Sequence, residues 1–187
     1  MANRKKEESR WYVLRCAGRQ ELKLRYELER VKAECFVPLQ KRYRLKKERR
    51  VIELVPAVSG IVFGKLTLSL LAGLREKSPI RFFTWTDRAT GKPMVVPGAA
   101  MSNFIGVAGT CDEQLVYLPS EPVNWNKGQL VRITGGPFRG YEGRFVRVKG
   151  DRRLVVEIPG VMAVATGFIH PSLVEAIPEE TDGPAEE

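Results

Sequence analysis

The sequence predicts an α+β domain followed by a small β-barrel. Through about residue 107, strand-like and helix-like apolar patterns follow one another in the order β-α-β-β-β-α-β-α, which is typical of helices packed on a mostly antiparallel sheet. Between residues 127 and 177, closely spaced glycines separate short runs of alternating apolar and polar residues. This pattern predicts a small, strongly bent barrel, because glycine is needed where strands turn sharp corners.

The composition divides the chain into five segments. They are a disordered polar arm at 1–9, a first domain at 10–107, a linker at 108–126, a barrel at 127–177 and an acidic tail at 178–187. The linker is placed where Pro119 and Pro122 interrupt the periodic patterns. Residues 179–187 contain five acidic side chains and no basic one, so the rest of the chain is more basic than the net charge suggests.

The periodicity also predicts the elements of the first domain. Strands are expected at 11–17, 34–39, 51–55, 59–65 and 80–86, and helices at 19–33, 67–77 and 97–107. Residues 87–92 are expected to form a turn, and Lys41–Arg50 the tip of a basic hairpin.

Size and charge limit the possible partners. A chain of 187 residues that is 43% hydrophobic can bury a core in one or two domains. The net charge of +9 favours an anionic partner such as nucleic acid or a nucleoprotein machine. No apolar run approaches the roughly 20 residues of a membrane-spanning helix, and the first ten residues lack the apolar core of a signal peptide. We therefore expect a cytoplasmic protein with no membrane partner.

The sequence offers no pattern for catalysis or metal binding. Cys16, Cys35 and Cys111 are isolated from one another, and His170 is the only histidine. His170 precedes a proline in a predicted turn, with no carboxylate or thiol at motif spacing, so we expect a structural role. The prediction is a protein that is not an enzyme and needs no cofactor and no metal.

Residues 127–154 form the most distinctive stretch of the chain. Two β-rich runs flank Gly136–Gly143, which reads Gly-Pro-Phe-Arg-Gly-Tyr-Glu-Gly. This stretch resembles the KOW motif, whose signature is a strand, then Gly-Pro-Phe-x-Gly-x-x-Gly, then a second strand. The resemblance implies an SH3-like barrel of the kind that binds nucleic acid or protein in ribosomal proteins and transcription elongation factors.

The first domain is similar to the N-terminal domain of the NusG family. The resemblance lies in Arg10–Leu14 before a charged helix, Cys35–Pro38 before a basic hairpin, Ser59–Phe63, and Gly91–Pro97 before a short helix. Together with the KOW motif it covers residues 10–177. Phe82-Phe83 and Met101–Phe104 resemble specialised family members that act as antiterminators on long operons, often those for surface polysaccharides.

The first candidate site is one face of the predicted sheet. Strand parity sends Tyr12, Leu14, Cys16 and Val62 toward the helices, so their neighbours point to the opposite face. Those neighbours are Trp11, Val13, Arg15, Ile61 and Phe63. The resemblance implies that this face is an exposed depression that docks on RNA polymerase. The alternative is that these residues pack under the hairpin or against the second domain.

The second candidate site is the basic hairpin. Seven of the ten residues in Lys41–Arg50 are basic: Lys41, Arg42, Arg44, Lys46, Lys47, Arg49 and Arg50. We expect them to contact phosphates of upstream or non-template DNA beside the polymerase, which positions the protein without reading sequence. The alternative is a charged hairpin that is only solvated.

The third candidate site is the KOW loop, with Phe138, Arg139 and Tyr141. Phe138 is expected to plug the end of the barrel. Arg139 and Tyr141 are better placed to bind a second partner, which could be a ribosomal protein, a termination factor or RNA.

The combined resemblance implies a factor for transcription elongation and antitermination. Its first domain would bind RNA polymerase and suppress pausing or termination, while the KOW domain recruits the second partner. The alternative is a ribosome-associated KOW protein that binds structured RNA.

Overall fold

The computed structural model describes residues 7–47, 49–87, 90–119 and 128–178. The chain divides into two compact units, Met1–Glu113 and Gln114–Glu187. The predicted arm falls outside the described residues except at 7–9, and so does the acidic tail after residue 178.

The first unit follows the predicted order of elements, with two additional strands, one in the basic hairpin and one short strand before the last helix. Its strands are β1 (Arg10–Cys16), β2 (Glu34–Phe36), β3 (Leu39–Lys46), β4 (Arg49–Pro56), β5 (Ile61–Leu66), β6 (Phe82–Thr84) and β7 (Val95–Val96), and its helices are α1 (Glu21–Arg30), α2 (Leu68–Lys77) and α3 (Gly98–Ala108). The predicted α+β class is therefore confirmed.

Local sequence explains where α2 begins and ends. The Thr67 hydroxyl accepts a hydrogen bond of 3.1 Å from the amide of Leu70, which caps the first turn. The helix ends at Lys77, and Ser78, the residue before Pro79, is extended as that position favours.

The main sheet has the order β2-β5-β1-β6, and β7 pairs with β1 beside β6. Strands β1 and β5 are antiparallel, with Val13 opposite Phe63 and Arg15 opposite Ile61. One face of this sheet packs against α1 and α2. That core contains Tyr12, Leu14, Cys16, Leu24, Leu28, Val62, Leu71 and Leu74. The predicted strand parity therefore agrees with the structure on this face.

The opposite face of the sheet is also buried, because α3 packs on it. Phe63 is completely buried, and its ring centroid lies 5.6 Å from that of Phe104 in α3. Phe36 of β2 meets the same Phe104 ring edge-on at 6.2 Å. Each central strand therefore has four consecutive buried residues, Trp11–Leu14 in β1 and Ile61–Gly64 in β5, which is typical of strands buried on both faces.

The second unit is an antiparallel sheet with the order β13-β9-β10-β11-β12-β8. Its strands are β8 (Val116–Pro119), β9 (Gln129–Ile133), β10 (Glu142–Val148), β11 (Asp151–Ile158), β12 (Met162–Ala165) and β13 (Val174–Ala176). This sheet-rich unit agrees with the predicted all-β second domain.

Strand β8 corrects the predicted linker at 108–126. Its residues pair with β12, from Val116 opposite Ala165 to Pro119 opposite Met162. The side chains of Val116 and Leu118 join an apolar cluster with Val155. The prediction interpreted Pro119 as part of a linker, but β8 is at the edge of the sheet, and an edge strand tolerates proline. Residues 120–126 lie outside the described part of the chain.

The burial of both sheet faces predicts opposite effects for two phenylalanines. Phe63 is fully buried, whereas Phe83 is 65% exposed. Phe63→Ala should lower the free energy of unfolding by about 3–5 kcal/mol, because it opens a cavity against α3. The matched variant Phe83→Ala should change it by less than about 0.5 kcal/mol. Urea denaturation followed by tryptophan fluorescence measures both values, and equal stability of the two variants would contradict the packing of α3.

Candidate partner-binding surfaces

The residues of the predicted docking face lie together, but they do not form an exposed patch. Four of them are at most 6% exposed: Trp11, Val13, Ile61 and Phe63. The prediction of an exposed depression is wrong, because α3 lies over this side of the sheet and makes it a second core. Arg15 alone among the five is exposed.

An exposed surface does exist at the end of this face, around Arg15. In the sheet, Arg15 lies between Ile61 on β5 and Phe83 on β6. Its guanidinium carbon lies 5.7 Å from the ring centroid of Trp85, close enough for a cation–π contact. We call Arg15, Phe83 and Trp85 the Arg15 rim.

Sequence reasoning missed the rim, although strand parity could have indicated it. Phe82 is 5% exposed and lies opposite Cys16, in the core under α1 and α2. Because alternate residues point to opposite faces, Phe83 must point away from that core. An aromatic that is 65% exposed beside a cation is a typical component of a protein interface.

The basic hairpin is confirmed as a hairpin, and its strands include most of the residues that were predicted to form its tip. Strands β3 and β4 form a separate two-stranded sheet, paired from Leu39 opposite Pro56 to Lys46 opposite Arg49. Lys47 turns the chain with a positive φ of 48°. Every described residue from Gln40 to Ile52 is exposed.

The pairing divides the hairpin side chains into two faces. Residues directly opposite one another project to the same side, so the register assigns each side chain to a face. What we call the basic face carries Arg42, Arg44, Lys46 and Arg49, together with Val51 and Glu53. Arg44 lies 3.4 Å from the Glu53 carboxylate.

The other side of the hairpin, which we call the apolar face, carries Tyr43, Leu45, Ile52 and Leu54, flanked by Lys41 and Arg50. The seven predicted phosphate-binding cations therefore do not share one surface. Lys41 and Arg50 lie on the apolar face, and Lys47 lies in the turn. The sequence signal for this division is the alternation of Tyr43 and Leu45 with basic residues, which the high density of charge obscured.

A cleft at the base of the hairpin adds a further cation next to the basic face. This cleft, of about 410 Å³, is lined by Arg19 and Leu22 on one side and by Gln40 and Arg42 on the other. Arg19 is exposed and adopts a positive φ of 57°. Sequence reasoning missed Arg19, because it is far from the hairpin along the chain.

The acidic residue of this cleft is turned inward. Glu21 is 1% exposed, and its carboxylate accepts a hydrogen bond of 2.5 Å from the amide of Gly60. Gly60 has a φ of 79°, and a Cβ there would lie 2.7 Å from the carbonyl oxygen of Cys16. The turn therefore requires glycine, and Glu21 holds it in place.

The three candidate residues of the KOW-like loop in the second unit differ in their exposure. Phe138 is 5% exposed, so it packs in the core and does not lie on a partner surface. Arg139 is exposed and Tyr141 is half-buried. The loop is closed by hydrogen bonds from the Gly140 amide to the Ile133 carbonyl and from the Ile133 amide to the Tyr141 carbonyl.

The side chains most relevant to catalysis, those of His170, Cys16 and Cys35, lie in structural surroundings. The Nδ1 atom of His170 accepts a hydrogen bond from the Ser172 amide and caps the 3-10 turn at Pro171–Leu173. Burial raises the pKa of the Cys16 and Cys35 thiols, which makes them poor nucleophiles at neutral pH. Within the described ranges, no group of three or more His, Cys, Asp or Glu side chains could hold a metal ion. No helix in those ranges is long and apolar enough to cross a membrane.

Comparison with known proteins gives a family match and likenesses to solved structures. The family model described as transcription termination factor nusG matches residues 9–105. A solved structure described as "Domain interaction in Thermotoga maritima NusG" is 18% identical in sequence. It aligns over 91% of this chain and 98% of its own length, with a TM-score of 0.46. No curated protein matches the chain significantly.

The family match covers more than half of the chain and runs from the residue before β1 into α3. It includes both strands that form the centre of the sheet, the two-faced hairpin and most of the helix that buries the second sheet face. The chain belongs to the NusG family of transcription elongation and termination factors.

Proposed function

We propose that the protein binds RNA polymerase through its first unit and suppresses pausing or termination during elongation. Its second unit recruits another partner, and neither unit performs catalysis. The observation that carries this proposal is the family match across 9–105, which spans nearly every element of the first unit.

The proposed polymerase contact is the Arg15 rim. It belongs to the sheet face that the family resemblance favours for docking, and it offers the accessible side chains that Val13 and Phe63 do not. Phe83 supplies apolar area, while Arg15 supplies a charge already oriented by Trp85. An exposed aromatic and an arginine are the residue types most enriched at interface centres.

The proposed DNA contact is the basic face of the hairpin together with Arg19. Within the described residues, Arg42, Lys46 and Arg49 have no carboxylate at salt-bridge distance, so these charges are available to phosphates. The base of the same face opens into the cleft lined by Arg19 and Arg42. Such contacts would hold the protein on upstream or non-template DNA without reading its sequence.

The proposed surface for the second partner is Arg139 and Tyr141 in the KOW-like loop. Phe138 is buried, and its carbonyl accepts a hydrogen bond of 3.2 Å from the amide of Tyr141, which anchors the loop that carries both residues. A ribosomal protein, a termination factor or RNA would bind there, in keeping with the KOW resemblance.

Affinity capture from a cell lysate tests these assignments together. We expect the wild-type protein to retain RNA polymerase and a second partner. Phe83→Asp should lower polymerase capture at least about tenfold, because a buried aromatic contributes about 1.5–3 kcal/mol to a contact. The pair Arg139→Ala and Tyr141→Ala should release only the second partner.

The folded state of each variant is verified by circular dichroism before capture. Retention of ribosomal subunits without RNA polymerase would contradict the proposal and favour an RNA-binding role on the ribosome. Normal polymerase capture by a folded Phe83→Asp variant would exclude the Arg15 rim as the contact.

The two faces of the hairpin predict different salt dependence of binding to forked DNA in the absence of polymerase. Replacing Arg42, Arg44, Lys46 and Arg49 by Ala should reduce the log–log slope by roughly 0.7–0.9 for each phosphate that the variant no longer binds. The matched pair Lys41→Ala and Arg50→Ala removes like charges from the apolar face and should leave the slope nearly unchanged. An equal reduction of the slope by the two variants would show that phosphates do not bind the basic face in preference to the apolar face.

A further inference from the structure

We infer that the apolar face of the hairpin is a protein-binding surface, and that its partner is an apolar surface of RNA polymerase bearing carboxylates. The identity of that partner rests on the proposed function. The observation behind the inference is a contiguous apolar strip on an element that no other strand covers in the described part of the chain.

The strip consists of Tyr43, Leu45, Ile52 and Leu54, and these apolar side chains are exposed although apolar side chains are usually buried. Tyr43 is 46% exposed, Leu45 80%, Ile52 55% and Leu54 51%. Tyr43 lies directly opposite Ile52, and Leu54 follows Ile52 at the spacing that keeps side chains on one face. A contiguous apolar strip at the surface, bordered by charge, is typical of an interaction site.

The side chains of the strip favour protein over nucleic acid. Surfaces that bind single-stranded nucleic acid stack bases on several aromatic rings. Three of the four strip residues are aliphatic, and the single aromatic residue, Tyr43, already contacts two side chains of this chain. The Arg50 guanidinium carbon lies 5.5 Å from the Tyr43 ring centroid, and the Tyr43 hydroxyl donates a hydrogen bond to the Glu113 carboxylate.

The charges beside the strip indicate that its partner carries carboxylates. Lys41 and Arg50 project from this face and Glu113 contacts it, so the net charge beside the strip is positive. Glu53 lies on the basic face. Glu113 shows how a carboxylate binds here, since it contacts the Tyr43 hydroxyl and lies 3.7 Å from the Lys41 ammonium. That hydrogen bond also raises the pKa of Tyr43, whose hydroxyl is in any case protonated at neutral pH and can donate.

The two-sided hairpin places the partner opposite the DNA. A two-stranded ribbon that lays Arg42, Arg44, Lys46 and Arg49 on phosphates turns its apolar face away from them. In a complex between the protein, DNA and polymerase, the surface that remains to cover that face is the enzyme. A second copy of this chain fits less well, because Lys41 and Arg50 of each copy would face like charges.

Two measurements on purified components test the inference. The first is the affinity of the full-length protein for core RNA polymerase without nucleic acid. Leu45→Ser combined with Ile52→Ser should raise Kd about tenfold or more, because the variant removes two apolar side chains from the interface. Val51→Ser, the neighbouring β-branched residue on the basic face, should change Kd by less than about twofold, since it leaves the strip intact.

The second measurement is photo-crosslinking in a reconstituted elongation complex, with p-benzoylphenylalanine in place of Leu45 or, separately, of Arg44. Position 45 should crosslink to a polymerase subunit, and position 44 to DNA. A DNA crosslink from position 45 would overturn the inference in favour of nucleic acid, and a crosslink between two copies would overturn it in favour of self-association.

The outcomes separate this inference from the proposed function. If the wild-type protein does not bind polymerase at all, the proposed function fails and the partner named here fails with it. If the wild type binds normally and Leu45→Ser with Ile52→Ser binds equally well, only the apolar-face contact is wrong.

Discussion

The packing of Phe104 against Phe63 is the interaction on which the first unit depends. It brings α3 down on the sheet face that α1 and α2 leave uncovered, so β1 and β5 are buried on both sides. Phe36 joins the same contact from β2 and ties the sheet edge to the helix. Burial of an aromatic from each element contributes a few kcal/mol, which is a large share of the net stability of a small domain.

Because both faces of the sheet are buried, the candidate partner-binding surfaces of the first unit lie at the margins of the sheet. The Arg15 rim lies where β6 extends the sheet, and the hairpin leaves the sheet altogether. The hairpin has no core of its own, because β3 and β4 pair only with each other within the described residues. Two-stranded ribbons of this kind are marginally stable alone, so a partner on either face would order this one.

Much of the fold could be predicted from periodicity and caps. The strands at β1 and β5, the Thr67 cap of α2, the helix after Pro97 and the basic hairpin all follow from local patterns. Parity correctly assigned Tyr12, Leu14 and Val62 to the core under α1 and α2.

The incorrect or missed predictions concern features that depend on contacts between residues far apart in the chain. Strand parity gives the direction in which Val13 and Phe63 point, but not whether a distant helix covers them, and α3 does. The linker boundary was wrong because the pairing of Val116 with Ala165 depends on a strand far along the chain. Arg19 was missed for the same reason, since its proximity to Arg42 exists only in three dimensions.

Amide hydrogen exchange measured by NMR tests the double burial of the sheet most directly. The amides of Leu14 and Val62 in the central strands, and of Phe104 in α3, should exchange only through global unfolding of the unit. Those of Tyr43 and Ile52 in the hairpin should exchange at least about a hundredfold faster, through local opening of the ribbon. If Phe104 exchanges as fast as the hairpin while Leu14 and Val62 remain protected, α3 does not hold the second face, and the assignment of partners to the margins of the sheet is wrong.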